Sequence, residues 1–140
     1  MRILILEDEE QALLRLQKMI FKVIPDAVIL GTPSSIEEAM AWFQNNPMPE
    51  LIFMDIQLAD GTSFQVFNRI KITCPVIFTT AYENYALQAF KVNSVDYLLK
   101  PLDENDVKSA IDKLKLLQQS GPVNIDYSGI LDSIKISQKK

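Results

Sequence analysis

The hydrophobic residues of the chain alternate between short continuous runs and stretches with helical spacing, and this alternation occurs five times. The runs lie at residues 3–6, 27–30, 51–54, 76–78 and 95–99. The first four contain apolar residues only, as expected for strands whose two faces are both covered by helices. The pattern therefore favours a parallel sheet buried between two helical layers.

Apolar residues between the runs recur every three or four positions, which places them on one face of a helix. The five stripes are Ala12, Leu13, Leu16, Met19, Ile20 and Val23; Ile36, Ala39, Met40 and Phe43; Phe64, Phe67 and Ile70; Ala86, Ala89 and Phe90; and Val107, Ala110, Ile111, Leu114 and Leu117. Ser35 and Glu38 suit a capping box that opens the second helix, and Asp103 suits the N-cap of the fifth. Strict β-α alternation over residues 1–120 predicts an α/β fold with a single doubly wound parallel sheet of five strands.

The composition of the chain excludes several classes of protein. With 140 residues, 48% of them hydrophobic, the chain suits one globular domain. A single cysteine excludes an internal disulfide and indicates a reducing, cytoplasmic compartment. The absence of histidine excludes Ser-His catalysis and a phosphohistidine on this chain. No apolar run is long enough to cross a bilayer.

The charge of the chain is unevenly distributed. Residues 1–120 carry 16 acidic and 11 basic side chains, whereas residues 121–140 carry two and three. An excess of acids makes residues 1–120 a poor surface for nucleic-acid phosphates and a better one for a cation. Gly121 and Pro122 end the fifth predicted helix, so the polar residues 121–140 are expected to form a linker.

Charged and hydroxyl side chains follow the predicted strands, at the edge where ligands bind in sheets of this kind. These side chains are Glu7 and Asp8 after the first run, Asp55 after the third, Thr79 and Thr80 after the fourth, and Lys100 after the fifth. Three crowded carboxylates repel one another and favour a hard divalent cation such as Mg²⁺. A carboxylate can also attack phosphorus and form an aspartyl phosphate, with a lysine neutralising the phosphoryl oxygens. The group therefore suits phosphoryl transfer.

Each of these residues also has an ordinary structural explanation. The pair Glu7 and Asp8 suits a solvated helix N-terminus, where the helix dipole favours acids. Thr80 suits a strand or a cap, and Lys100 suits an exposed loop. Asp55 is less ordinary, because a charge beside a buried run needs a partner. The occurrence of all of them at matched strand ends favours a shared functional site.

The segments around these residues resemble the receiver domain of bacterial two-component response regulators, over residues 2–119. The resemblance depends on the sequences Leu-Glu-Asp-Glu, Met-Asp-Ile-Gln-Leu, Thr-Thr-Ala-Tyr and Asp-Tyr-Leu-Leu-Lys-Pro. It implies a flavodoxin-like sheet with strand order 2-1-3-4-5 and helices on both faces. Residues 81–90 and 94–101 are similar to receivers that precede a LytTR-type DNA-binding domain. Residues 1–120 would then be the receiver, and residues 121–140 would lead toward a DNA-binding domain outside this chain.

The resemblance implies a role for each acidic residue. Asp55 would accept the phosphoryl group from a sensor histidine kinase. Asp8 and Asp55 would bind Mg²⁺ directly, Glu7 would act mainly through water, and the backbone carbonyl of Gln57 would complete the metal site. The domain would be a signalling switch for transcription rather than an enzyme with a separate substrate.

The resemblance also implies how phosphorylation is read. Lys100 would pair with the acids and then with the phosphoryl group, while Thr80 would turn toward the phosphoryl oxygen and Tyr97 would change its exposure. The fourth helix, fifth strand and fifth helix would then form a homodimer face. The sequence offers Tyr85 and Lys91 as exposed candidates on that face.

Two features depart from the family pattern, and two further expectations concern the Lys100–Pro101 bond and the access of water to the site. Glu7 replaces the more common aspartate, and the loop at residues 58–61 lacks the usual Met-Pro and is shorter. The Lys100–Pro101 bond is expected to be cis, as in the family. Gln57 and Tyr82 flank the acceptor and are expected to tune the access of water to the phosphoryl group. Tyr82 is expected to shield that group, so Tyr82→Ala should change the dephosphorylation rate.

Three other functions compete with the phosphoacceptor interpretation. A phosphatase of the haloacid dehalogenase type needs a second acid where this chain has Gln57. A flavin or dinucleotide fold needs a glycine-rich first loop, whereas residues 7–10 are all acidic. A stand-alone or unphosphorylated receiver fold that only binds proteins remains the alternative.

Overall fold

The computed structural model describes residues 1–81 and 95–119, and five parallel strands in it form one sheet. The described strands are β1 (Arg2–Leu6), β2 (Val28–Gly31), β3 (Leu51–Asp55), β4 (Gln57–Leu58), β5 (Gly61–Thr62), β6 (Val76–Thr80) and β7 (Asp96–Leu99), of which β4 and β5 pair separately from the large sheet. The large sheet has the order β2-β1-β3-β6-β7, and all of its pairs are parallel. The predicted fold class and strand order are therefore confirmed, with β6 and β7 as the fourth and fifth strands of the prediction.

Four helices are described, and they begin and end close to the predicted stripes. They are α1 (Glu10–Val23), α2 (Ile36–Asn45), α3 (Phe64–Arg69) and α4 (Glu104–Gln119). The predicted helix containing Ala86, Ala89 and Phe90 lies outside the described residues, as do residues 121–140. None of the described helices is both long enough and apolar enough to span a membrane.

The two faces of the sheet pack into two apolar layers. Alternate residues of β1 and β3 point to opposite sides, so Leu4 and Met54 contribute to one layer and Ile5 and Phe53 to the other. The first layer includes residues of α2 and α3, and the second includes residues of α1 and α4. Every residue of β3 is buried. This burial on both faces is the reason that the strand sequences lack polar alternation.

Two apolar residues at the ends of elements are exposed, although the sequence pattern predicts that they are buried. Val28 is 53% exposed because β2 is an edge strand with one neighbour, and the strand includes Gly31 but not Ala27. Leu117, assigned to the buried stripe of the fifth predicted helix, is 42% exposed in the last turn of α4. These two expectations of burial were wrong, since helical or strand spacing does not show where the neighbouring layer ends.

Side-chain caps define the starts of α2 and α4. Asp103 accepts a hydrogen bond from the Asp106 N–H at 2.8 Å, as predicted for an N-cap. Ser35 Oγ accepts from the Glu38 N–H at 3.0 Å, which is half of the predicted capping box. The Glu38 carboxylate instead accepts from both N–H and Oγ–H of Ser34, at 2.8 and 2.6 Å. Ser34 offers two donors where Ser35 would offer one, and its hydroxyl lowers the pKa of Glu38.

Candidate metal and phosphoacceptor site

Three carboxylates meet where β1 and β3 end. Glu7 and Asp8 follow β1, and Asp55 is the last residue of β3, which pairs in register with β1. One oxygen from each carboxylate lies within 4.8 Å of the others. Glu7 and Asp55 are buried, with 3% and 5% exposure, while Asp8 is exposed. The parallel topology therefore brings together the acids that the sequence analysis selected.

Lys100 places its ammonium between the two buried acids. Its Nζ lies 2.6 Å from Glu7 Oε1 and 2.9 Å from Asp55 Oδ2. The Lys100 N–H donates to the Thr80 carbonyl at 2.7 Å, which fixes the residue at the end of β7. Burial of the ammonium acts to lower its pKa, but the hydrogen bonds from Lys100 to Glu7 and Asp55 outweigh burial and raise it. Lys100 is therefore charged at neutral pH and compensates two buried carboxylates.

The crowding of acids also affects the third carboxylate, that of Asp8. Partial burial, followed by the neighbouring Glu7, raises the pKa of Asp8 above its ordinary 3.8. One lysine cannot neutralise three acids, so the cluster keeps an excess of negative charge. Oxygen ligands with such an excess, two of them held rigidly by burial, fit a hard divalent cation such as Mg²⁺. Glu7, Asp8 and Asp55 are the residues that could hold the ion.

Gln57 is joined to the phosphoacceptor candidate through its backbone. Its N–H donates to Asp55 Oδ1 at 3.3 Å, and its strand β4 pairs with Thr62 in β5. The Gln57 side chain is exposed, so its contact with Asp55 is made by the main chain. The ligand role of the Gln57 carbonyl stays a prediction.

The two proposed switch residues lie on the strands beside Asp55. Asp55 pairs in register with Thr79, which places the buried Thr80 one residue further along β6. Tyr97 lies in β7, where it is half-buried and packs against the layer formed with α2 and α3. Their switching roles stay predictions. Tyr82, Tyr85 and Lys91 lie outside the described residues, so the structure does not address the expectations for them.

Two further features flank the site. The Lys100–Pro101 peptide bond is cis, as predicted. A cleft of about 320 Å³ lies beside Lys100, bordered by Arg15 of α1 on one side and by Pro101 and Leu102 on the other.

The buried Cys74 thiol is not a competing nucleophile, because burial raises its pKa to about 12.

The sequence analysis missed a short hairpin next to Asp55. Strands β4 and β5 are two residues each and pair antiparallel, with Leu58 opposite Gly61. The carboxylate of Asp60, in the turn between them, accepts hydrogen bonds from the N–H groups of Ile36 and Glu37. The Asp60-Gly61 dipeptide is a turn signal that could have indicated the hairpin. Nothing local in the sequence indicates its contact with α2.

We expect Asp8→Asn to stabilise the metal-free protein and to weaken Mg²⁺ binding. The raised pKa of Asp8 means that its ionised form opposes folding, a penalty absent below pH 3.8 and complete above the folded-state pKa. Because Asp8 is exposed, the gain in unfolding free energy should not exceed about 1 kcal/mol. Mg²⁺ affinity should fall by more than the roughly 10–100-fold typical of losing an outer-shell partner.

Urea unfolding with a chelator and calorimetric Mg²⁺ titration measure the two effects. Asp26→Asn, at an exposed position between α1 and β2, is the matched control and should change neither quantity. A metal-free Asp8→Asn protein that is less stable than wild type would contradict the electrostatic explanation.

Comparisons with known proteins agree with this geometry. The response regulator receiver domain family matches residues 3–112. The sensory transduction protein LytT of Bacillus anthracis is 35% identical over 123 residues, which cover 86% of this chain and 49% of the relative. LytR of Staphylococcus epidermidis is 32% identical over 140 residues, covering 91% and 54%. The chain thus spans about half the length of the curated relatives it matches.

Solved structures show the same fold. The response regulatory domain of protein mrkE from Klebsiella pneumoniae has a TM-score of 0.71 and 27% identity, over 86% of this chain and 100% of that one. The response regulator PhyR from Brucella abortus has a TM-score of 0.72 and 27% identity, over 85% and 49%. With the family match over most of the chain and the acids gathered at the sheet edge, this chain belongs to the response regulator receiver domain family and is similar to the LytT and LytR proteins.

Proposed function

We propose that this receiver domain is a Mg²⁺-dependent phosphoacceptor, in which Asp55 takes a phosphoryl group from the histidine of a sensor kinase. The observation that carries the proposal is the environment of the Asp55 carboxylate. It is buried at the end of β3, grouped with Glu7 and Asp8, and 2.9 Å from Lys100 Nζ. A lysine between two buried acids, with a third acid beside them, supplies a carboxylate nucleophile and a cation that can neutralise phosphoryl oxygens, as phosphoryl transfer requires.

Asp8 and Asp55 would hold the ion directly, with Glu7 acting mainly through water and the Gln57 carbonyl as a further ligand. When bound, Mg²⁺ supplies positive charge to the phosphoryl oxygens and neutralises the crowded acids. The chain's own residues provide the pre-arranged oxygen donors. Burial of Glu7 and Asp55 holds these donors in place before the ion arrives.

In the transfer step, a carboxylate oxygen of Asp55 attacks the phosphorus. A new O–P bond forms, the P–N bond to the kinase imidazole breaks, and its electron pair returns to the ring nitrogen. Lys100 already lies within hydrogen-bond distance of both Asp55 and Glu7, so it can follow the charge from carboxylate to phosphoryl oxygen with little movement. The cleft bordered by Arg15 and Pro101 reaches Glu7 and Lys100 of this edge.

The phosphoryl group would then act as a local charge that biases a two-state element. Thr80 would donate to a phosphoryl oxygen and Tyr97 would change its exposure in step. A homodimer would form through the face predicted from the fourth predicted helix, the fifth predicted strand, which is β7, and the fifth predicted helix, which is α4. Apart from its own phosphorylation and dephosphorylation, the domain would catalyse no reaction.

The remaining parts of the proposal concern the whole protein. Residues 1–120 would be the receiver, and residues 121–140 would be the linker to a LytTR-type DNA-binding domain that regulates transcription in the cytoplasm. The half-length match to LytT and LytR proteins supports this arrangement.

Incubation of the protein with a small acyl phosphate tests the phosphoacceptor function. We expect one phosphoryl group per chain in Mg²⁺, no incorporation in a chelator, and release of the label by hydroxylamine, which cleaves acyl phosphates. Protein that binds partners yet neither binds Mg²⁺ nor takes up phosphate would support the alternative, an unphosphorylated interaction module.

A further inference from the structure

We propose that Asp60 is a positioning residue for the phosphoacceptor site, because it fastens the β4–β5 hairpin to the N-terminus of α2 and so holds Gln57 against Asp55. The inference rests on the proposed function, since it concerns the same Mg²⁺ site. Asp60 touches neither the three acids nor Lys100. It would act through the backbone of the hairpin.

The contact between Asp60 and α2 is a two-point attachment. Its Oδ1 accepts from the Ile36 N–H at 2.8 Å, and its Oδ2 accepts from the Glu37 N–H at 3.2 Å. These are the first two N–H groups of the helix, which have no acceptor within it. The hydrogen bond from Ile36 keeps the pKa of Asp60 below its ordinary value, so the carboxylate is ionised where the helix dipole favours a negative charge.

The backbone conformation and small size of the neighbouring Gly61 suit the same contact between the hairpin and α2. Its φ of +139° is a conformation that side chains disfavour. A Cβ on Gly61 would lie 2.7 Å from Gln65 Nε2 and 3.2 Å from Ile36 Cδ1. The absence of a side chain therefore allows the hairpin to approach α2 closely, beside the residue whose N–H Asp60 binds.

The two ends of the hairpin are held in different ways. At its base, the Ile56 N–H donates to the Thr79 carbonyl at 3.0 Å, and the Ile56 carbonyl accepts from the Ser63 N–H at 2.9 Å. At its tip, the polar attachment is the Asp60 carboxylate on α2, beside Leu58, which is buried in the same apolar layer as Ile36. Gln57 lies between these two points and donates to Asp55 Oδ1. Release of the tip would let Gln57 move while Asp55 stays buried in the sheet.

The consequence is an effect on metal binding without any change of ligand. We expect Asp60→Ala to weaken Mg²⁺ binding about 10-fold, at the lower end of the range for residues that orient ligands. Asp60→Asn should lie between Asp60→Ala and wild type. Its amide oxygen can still accept from Ile36, but its NH₂ group would face the Glu37 N–H, which also donates.

A matched control separates positioning from simple helix capping. Ser35→Ala removes the Ser35 Oγ acceptor of the Glu38 N–H, another cap at the same end of α2, without touching the hairpin. Both alanine variants should lower the urea midpoint. Only Asp60→Ala should weaken Mg²⁺ binding and speed hydrogen exchange of the Gln57 amide in the metal-free protein. Ser35→Ala should leave both at wild-type values.

Calorimetric Mg²⁺ titration and amide hydrogen exchange of the whole chain measure these effects. Equal Mg²⁺ affinity in Asp60→Ala, Ser35→Ala and wild type would overturn the positioning role. If Asp60→Ala does not fold, Asp60→Asn gives the same comparison, and wild-type affinity in that variant would overturn the role equally. A wild-type protein that does not bind Mg²⁺ would instead overturn the proposed function.

Discussion

Asp55→Asn should remove phosphate uptake, reducing labelling by a small acyl phosphate to below about 1% of wild type. The amide oxygen of asparagine carries no full negative charge and cannot form a stable acyl phosphate. The fold should survive, because Lys100 keeps its 2.6 Å contact with Glu7. The amide oxygen can also still accept from Lys100 or from the Gln57 N–H. Loss of labelling would therefore report the loss of the nucleophile.

Intact-protein mass spectrometry with Mg²⁺ present measures the label, and a urea unfolding curve checks the fold. Asp112→Asn, an exposed change on α4 with the same loss of charge, should label as wild type does. Transfer to the adjacent Asp8 is the main competing result. Peptide mapping that found the label on Asp8 in the wild-type protein would contradict the assignment of Asp55.

The elements of the fold could be predicted because their packing appears in the local sequence. The five buried residues of β3 form a continuous apolar run, and the buried Leu16 and Ile20 of α1 lie four residues apart. The order of the strands could not be predicted in this way, since hydrophobic spacing does not say which strands are neighbours. That order came from the resemblance to receiver domains and agrees with the observed pairing.

The site could be predicted as a group but not in its contacts. Parallel strands end at one edge, so topology alone brings Glu7, Asp55 and Lys100 together. Topology does not determine that one ammonium lies between two buried carboxylates. The Asp60 contact was missed for a related reason. It joins residues 23 and 24 positions apart, and two-residue strands are too short to show a period.

Lys100→Met should destabilise the metal-free protein strongly at neutral pH. Glu7 and Asp55 would lose their shared cation while their side chains remain only 3% and 6% exposed. Removing one partner of a buried ion pair costs about 3–5 kcal/mol, a large part of a typical stability of about 5–15 kcal/mol. Methionine keeps most of the apolar stem of the lysine, so the loss would come mainly from charge.

The dependence of stability on pH should also differ between the wild type and this variant, at high pH. In the wild type, the raised pKa of Lys100 gives a stabilisation that is complete below pH 10.5 and is lost only as pH rises through the folded-state pKa. Lys100→Met lacks this titrating group, so its stability should not share that loss. The difference in urea midpoint between the wild type and Lys100→Met should therefore shrink as pH rises above 10.5.

Mg²⁺ should separate the structural role of Lys100 from its chemical role. An ion bound at 100 times its Kd adds about 2.7 kcal/mol of stability, so saturating Mg²⁺ should recover much of the fold. Phosphate uptake should remain about 10²–10³-fold slower, the usual effect of removing one donor to the developing charge. Lys113→Met is the control, since Lys113 Nζ lies 3.9 Å from Asp96 and its side chain is 56% exposed. Recovery of both stability and rate by Mg²⁺ would show that Lys100 serves the fold alone, because neutralising the two acids would then be sufficient for transfer.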